Sequence, residues 1–247
     1  MEESKKYSKF LSQLIADNFF LYGNHAKNAL TFHGIPEKPL VISGSSRYDI
    51  LFNQKKNTEE KYIILMGSGL PSTSHSYFLS NNVLLEWEKM ITSVFRSLKE
   101  LKESNEEIII KKHPTQLDLS NFQLLADKFL PNVKIYKNKN TYELLAKSKL
   151  VVSMLSSVIT EAIILDKPVV LPLHIKHDLG PHFIQTNAVL TIDKPEDALT
   201  VIKKALYDKE VKAKLKIGRA KFIKENLEYG GKSTEKTLEL IKNILKK

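Results

Sequence analysis

Short uninterrupted apolar runs alternate along this chain with longer stretches whose apolar residues recur every three or four positions. The first kind reads as strand buried on both faces, the second as amphipathic helix. Strands are expected at "FFLYG", ending in Gly23, and at "PLVISG", "YIILMG", "EIIIKK", "VKIY", "LVVSM", "PVVLPL" and "AVLTI". A helix over residues 84–103 carries Leu85, Met90, Ile91, Val94, Phe95, Leu98 and Leu101 on one face. Residues 4–17 read as a helix through Phe10, Leu11, Leu14 and Ile15. "NHAKNALTFHG" reads as another, with Asn24 as its cap and Gly34 as its stop. Further helices are expected at 119–129, in "TYELLAKS" capped by Thr141, in "SSVITEAIIL", and near 195–207, 209–228 and 233–246. The polar stretch "NQKKNTEEK", after "SSRYDIL", is the best linker candidate.

Continuous apolar strands alternating with helices predict an α/β fold, a Rossmann-like parallel sheet with helices on both faces. Ligands of such sheets bind outside the carboxyl ends of the strands. The unusual residues of this chain collect there. "IIIKKHPTQ" is a buried strand that stops at two lysines, His113 and Pro114. The proline biases His113 toward an extended backbone and holds the imidazole at the mouth of the sheet. A histidine so placed can donate to a phosphate, or act as acid or base near neutral pH. Lys111 and Lys112 add positive potential. Taken alone, such a histidine is more often packed at a strand end and satisfied by a carbonyl.

A second feature changes that weighting. "VVSMLSSVITEA" runs a strand into a helix expected to begin near Ser156 and Ser157. A helix start offers free N–H groups and a positive dipole end, and the serines add two hydroxyls, which together suit a phosphate. Plain N-capping would need only one serine. Glu161, one turn on, shares a face with Ser157 and could accept from ribose hydroxyls, although a lone glutamate is more often a solvated surface charge. "GSGLPS" lacks both the third glycine of a dinucleotide fingerprint and the Gly-Lys-Ser/Thr of a phosphate loop. Gly67 and Gly69 could still let the backbone approach a ligand. The loop "HIKHDLGPH" holds His174, His177 and His182 but lacks helical pair spacing and a carboxylate, so no metal site is expected and a loop over the substrate is favoured.

Composition narrows the classes. The 247 residues allow one large domain or two small ones. There is no cysteine, which excludes disulfides and thiolate chemistry. The N-terminal segment opens with acids and is interrupted by polar residues, unlike a signal peptide, so a cytoplasmic location is expected, with peripheral contact at the inner membrane face left open. A formal net charge of +10 suits an anionic partner or a solvated lysine surface. No basic stripe with interleaved aromatics is present, so no nucleic acid is expected.

A strand ending in "KKHP", followed by "SMLSSVITEAIILDKPVVLP", resembles the nucleotide-binding half of GT-B glycosyltransferase-like proteins of bacterial capsule and surface-polysaccharide synthesis. Polysialyltransferases and teichoic-acid (CDP-glycerol) glycerophosphotransferases are the nearest look-alikes, and the UDP-N-acetylglucosamine 2-epimerases share a related fold. The likeness runs over roughly residues 18–245, through "FFLYGNHAKNALTFHGIPEKPLVISGSSRYD" to "GGKSTEKTLELI". It implies the following roles. His113 is the catalytic donor to the leaving nucleotide. Ser156 and Ser157 hold the donor phosphates. Beside these, Lys111, Gly67 and Ser68 are expected at the donor phosphates and Glu161 at the ribose, from the reading of the residues themselves. No cofactor is implied, because the nucleotide-sugar or CDP-polyol donor is itself a substrate; the acceptor is a polysaccharide or lipid-linked chain. Residues 1–42 correspond to the end of an N-terminal GT-B domain plus linker, and 43–247 to the nucleotide-binding domain. The missing half would come from a partner chain or a second copy. An epimerase-like isomerase and a non-catalytic nucleotide-binding subunit are the alternatives. Asp166 stands where a glycine is usual in these proteins.

Overall fold

The computed structural model describes residues 16–54, 59–67, 81–112, 120–173 and 182–246. The expected helix over 4–17 lies almost wholly outside them. The chain divides into two compact units, residues 1–54 with 221–247, and residues 55–220.

The larger unit holds a parallel sheet of six described strands: β3 (Tyr62–Met66), β4 (Ile108–Lys111), β5 (Lys134–Tyr136), β6 (Ser148–Ser153), β7 (Val169–Pro172) and β8 (Leu190–Ile192). Their order across the sheet is β5-β4-β3-β6-β7-β8. All residues of β3, β4 and β7 are buried, which explains their unbroken apolar runs: helices cover both faces. The α/β Rossmann-like class expected from the pattern is the class found.

The helix α3 (Asn81–Glu103) buries Trp87, Met90, Ile91, Val94, Phe95, Leu98 and Leu101. Its Phe95 meets Phe122 of α4 (Ser120–Phe129) edge to face. These side chains join Ile63, Leu65, Ile108 and Ile110 of the sheet in one core. The helix α5 (Thr141–Ala146) is capped by Asn140, not by Thr141. Its side-chain oxygen accepts from the N–H groups of Tyr142 and Glu143. Asparagine and threonine are both good caps, and the backbone turned helical one residue earlier than the pattern suggested.

Beyond β6 lie α6 (Val158–Ile164) and the short α7 (His182–Gln185), which no periodicity announced. α8 (Ala198–Tyr207) and α9 (Lys209–Asn226) follow β8. Gly218 lets α9 approach the turn before β8 so closely that a Cβ there would collide with the carbonyl oxygens of Asn187 and Thr186. Asp166, just past α6, has φ 58° and accepts from Nε and Nη2 of the buried Arg219. The residue that departs from the usual glycine therefore adopts the left-handed cap and adds an ion pair.

In the smaller unit β1 (Phe19–Leu21) pairs in parallel with β2 (Leu40–Ile42) through the crossover helix α1 (Asn24–Phe32). Gly23, not Asn24, is the N-cap of α1. The Asn24 side chain donates instead to Glu228. Gly34 has φ 88° and ends the helix as expected. The segment "SSRYDIL" forms a 3-10 turn (Ser46–Tyr48) and α2 (Asp49–Phe52), elements too short to show a period. Asp49 then receives the N–H groups of Ser233 and Thr234 and the Thr234 hydroxyl, and so caps α10 (Ser233–Leu245) from a distant part of the chain. Burial raises the Asp49 pKa, but these hydrogen bonds outweigh it and the net shift is downward.

Candidate functional site

Register sets three strand ends side by side. Met66, the last residue of β3, is the partner of Lys111 in β4 and of Ser153 in β6. Neighbouring strands are ~4.8 Å apart, so the row spans about 10 Å. β3 is also where strand order turns: β4 and β5 lie on one side, β6 to β8 on the other. Connections diverge at such a switch point and leave a crevice above the carboxyl ends. Three expected motifs follow these residues in the sequence: Gly67 after Met66, His113–Pro114 after Lys111, and Ser156–Ser157 after Ser153.

His113, Ser68 and Gly69 lie outside the described residues. Gly67 is buried, and its N–H donates to the Lys111 carbonyl at 2.8 Å, which carries the ladder one residue past β3. Lys111 is 3 % exposed. Its Nζ donates to the carbonyls of Lys112 and Lys137 at 3.0 and 2.8 Å. Burial lowers its pKa. The ammonium thus ties the end of β4 to the turn after β5, and two of its three N–H groups are used in doing so. Lys112 is half-buried and donates to Gln123 in α4.

On the other side, buried Ser153 donates its hydroxyl to the Met154 carbonyl as the chain leaves the sheet. Ser153 was not among the expected residues, and a serine closing the apolar run "LVVS" was the available signal. Leu155 then emerges, 48 % exposed. α6 begins at Val158, slightly later than expected, with Ser157 as its N-cap in helical backbone geometry. Ser157 makes no side-chain cap hydrogen bond and is exposed. Ser156 is half-buried and its Oγ accepts weakly from the Val158 N–H at 3.4 Å. The Ser157 hydroxyl is therefore not used in capping.

Glu161 is 3 % exposed, not the solvated charge that a lone helical glutamate would ordinarily be. One turn inside α6, it lies beneath the serine pair. Among the described residues no group of three His, Asp or Glu could hold a metal ion. His182 opens α7, while His174 and His177 lie outside the described residues.

The model of the LIC12162 family of transferases matches residues 2–179. The chain belongs to that family. The match includes β3 to β7 and so the whole strand-end row. Comparison with curated proteins gives no match. Solved structures show the GT-B type of fold. A Staphylococcus aureus MnaA–UDP structure is 14 % identical, with a TM-score of 0.65 over 94 % of this chain and 60 % of its own. The Methanocaldococcus jannaschii UDP-GlcNAc 2-epimerase, in complex with UDP-GlcNAc and UDP, is 20 % identical, with a TM-score of 0.60 over 93 % and 62 %. A variant of the wall teichoic acid polymerase TagF is 16 % identical, with a TM-score of 0.59 over 99 % and 61 %. The chain spans about three fifths of the length of these structures.

Proposed function

We propose that this transferase-family chain binds the nucleotide-activated donor, a nucleotide-sugar or a CDP-polyol, for a transfer reaction in surface-polysaccharide synthesis. The row Lys111–Met66–Ser153 at the switch point carries the reading. In the sequence, the His-Pro motif follows Lys111 and the serine-bearing start of α6 follows Ser153.

In this reading the acceptor hydroxyl attacks the donor's anomeric carbon or phosphorus, and the bond to the nucleotide breaks. Negative charge grows on the departing phosphate. His113 donates to it, as do the hydroxyls of Ser156 and Ser157, while Gly67 and Ser68 approach with backbone and side chain. Preorganised donors aimed at developing charge are an effective form of catalysis. Lys111 contributes positive potential from beneath, and Glu161 accepts from the ribose. The group that takes the acceptor's proton belongs to the complementary half of the fold.

Thermal-shift titration with UDP, CDP, CMP and GDP tests the donor site. Native-state binding at a hundredfold excess over Kd adds about 2.7 kcal/mol. One nucleotide should stabilise the chain, and His113→Ala and Ser156→Ala should each abolish the shift. No response to any nucleotide, or an undiminished response in both variants, would overturn the assignment.

A second reading is favoured by the solved epimerase neighbours. The same phosphate contacts would serve a 2-epimerase that needs no acceptor. Incubation with UDP-GlcNAc alone, followed by chromatography for UDP-ManNAc, distinguishes it from the transferase.

A further inference from the structure

The larger unit carries a second charged surface. The end of α8 and the start of α9 form an open groove of about 810 Å³, whose lining includes Lys203, Lys204, Tyr207, Asp208, Lys209 and Glu210. Exposed Lys212 and Lys216, three and seven residues after Lys209, continue the charge along one side of α9. Leu215, Gly218 and Arg219 turn the opposite side of that helix inward. Five lysines, Lys203, Lys204, Lys209, Lys212 and Lys216, thus share the surface with two carboxylates. Asp208 is moreover committed to capping α9, since its Oδ1 accepts from the N–H groups of Glu210 and Val211. Ile217 stands among the lysines, 72 % exposed.

This face lies at the far edge of the sheet from the strand-end row. Tyr207 donates its hydroxyl to Glu106, and Lys149 pairs with the other oxygen of that carboxylate. Glu106 precedes β4 and Lys149 lies near the start of β6, so both mark the amino edge of the sheet. A partner bound here leaves the carboxyl edge uncovered.

We propose that this lysine face docks the protein onto an anionic lipid surface. Charge complementarity selects an anionic partner, and three observations select lipid. The cations are lysines, compact and strongly hydrated, without the planar fork that reads a single phosphate in two hydrogen bonds. Such charges sum over a diffuse layer of headgroups, with a reach limited to about 10 Å by salt. Ile217 projects an apolar side chain where a nucleic-acid backbone has nothing to receive it, but where an acyl boundary does. Tyr207 is fixed by its hydrogen bond to Glu106 and is not free to stack on bases. Among the described residues no helix is long and apolar enough to cross a membrane.

Flotation of the full chain with vesicles of equal parts phosphatidylglycerol and phosphatidylcholine tests this. Binding is expected to the mixed vesicles, to weaken steeply with salt, and to be absent from pure phosphatidylcholine. Exchange of Lys209, Lys212 and Lys216 for Gln should weaken partitioning about a hundredfold. Ile217→Ser should weaken it severalfold at unchanged net charge. A charge-matched control exchanging Lys89, Lys99 and Lys128 for Gln should bind nearly as the parent does. Equal loss in the control, no binding to the mixed vesicles, or retention on DNA without vesicle binding would overturn the proposal. Nucleotide thermal shifts on the same variants should not change, which separates failure here from failure of the donor site.

Discussion

Ser153 stands opposite Met66 across the β3–β6 pair, at the point where the order of strands in the sheet reverses. Lys111 holds the corresponding place on the other side of Met66. The two strand ends that precede the motifs are therefore close through register, although some forty residues of chain separate them. The serine pair that follows Ser153 offers the most direct test of that arrangement. Ser157 is exposed and makes no cap hydrogen bond, so its removal should change stability by less than about 0.5 kcal/mol. Ser156→Ala combined with Ser157→Ala should leave the melting temperature of the ligand-free chain nearly constant and abolish its rise with nucleotide. A large fall in the ligand-free melting temperature would make the pair a structural cap.

Asp166→Gly restores the residue usual in the proteins this chain resembles. It relieves a left-handed backbone, a gain of roughly 1 kcal/mol. It also removes the partner of a guanidinium that is 5 % exposed, and whose Nη1 has no hydrogen-bond partner among the described residues. Breaking a buried pair costs about 3–5 kcal/mol, and the exposure of Asp166 reduces this to about 2–3. Net destabilisation of about 1–2 kcal/mol is expected in urea unfolding. An equal or higher midpoint would show that the ion pair contributes nothing.

Gly218→Ala opposes two effects. Helix propensity favours alanine by about 1 kcal/mol. The new methyl would meet the carbonyls of Asn187 and Thr186, main-chain atoms that cannot rotate away. Overpacking of that kind costs about 1–3 kcal/mol and should win. Urea unfolding of the variant should show the lower midpoint; a higher one would place the turn before β8 farther from α9.

Lys111 gives a pH-dependent signature. Burial lowers its folded pKa from 10.5, so the unfolded chain holds this proton more tightly. The penalty is present in full below the folded pKa. It diminishes as pH rises through that value and is gone above the unfolded one. Compared with Lys111→Met, the parent should therefore gain relative stability between neutral pH and about pH 10. Parallel denaturation curves across that range check it, and a constant difference would mean that the ammonium is as well solvated folded as unfolded.

Much of the architecture was legible because it is local. Unbroken apolar runs such as "YIILM" and "IIIK" announce strands covered on both faces, and the spacing from Met90 to Leu101 announces a helix with one buried stripe. The errors were local too. Two good caps, Asn140 and Thr141, stood side by side, and the four-residue helices are shorter than the period that would reveal them. The His-Pro and Ser-Ser motifs could be marked as candidates because each follows a recognisable strand.

By itself, the sequence determined the class of the fold, its elements and the strand ends at which chemistry could collect, since burial periodicity and turn chemistry act over a few residues. Tertiary structure alone decided that Lys111, Met66 and Ser153 form one row, that Glu161 is buried, that the Lys111 ammonium serves two carbonyls, and that Asp49 caps a helix nearly two hundred residues away. These depend on which strands become neighbours. Strand order follows from long-range packing and crossover geometry, which no window of the chain encodes.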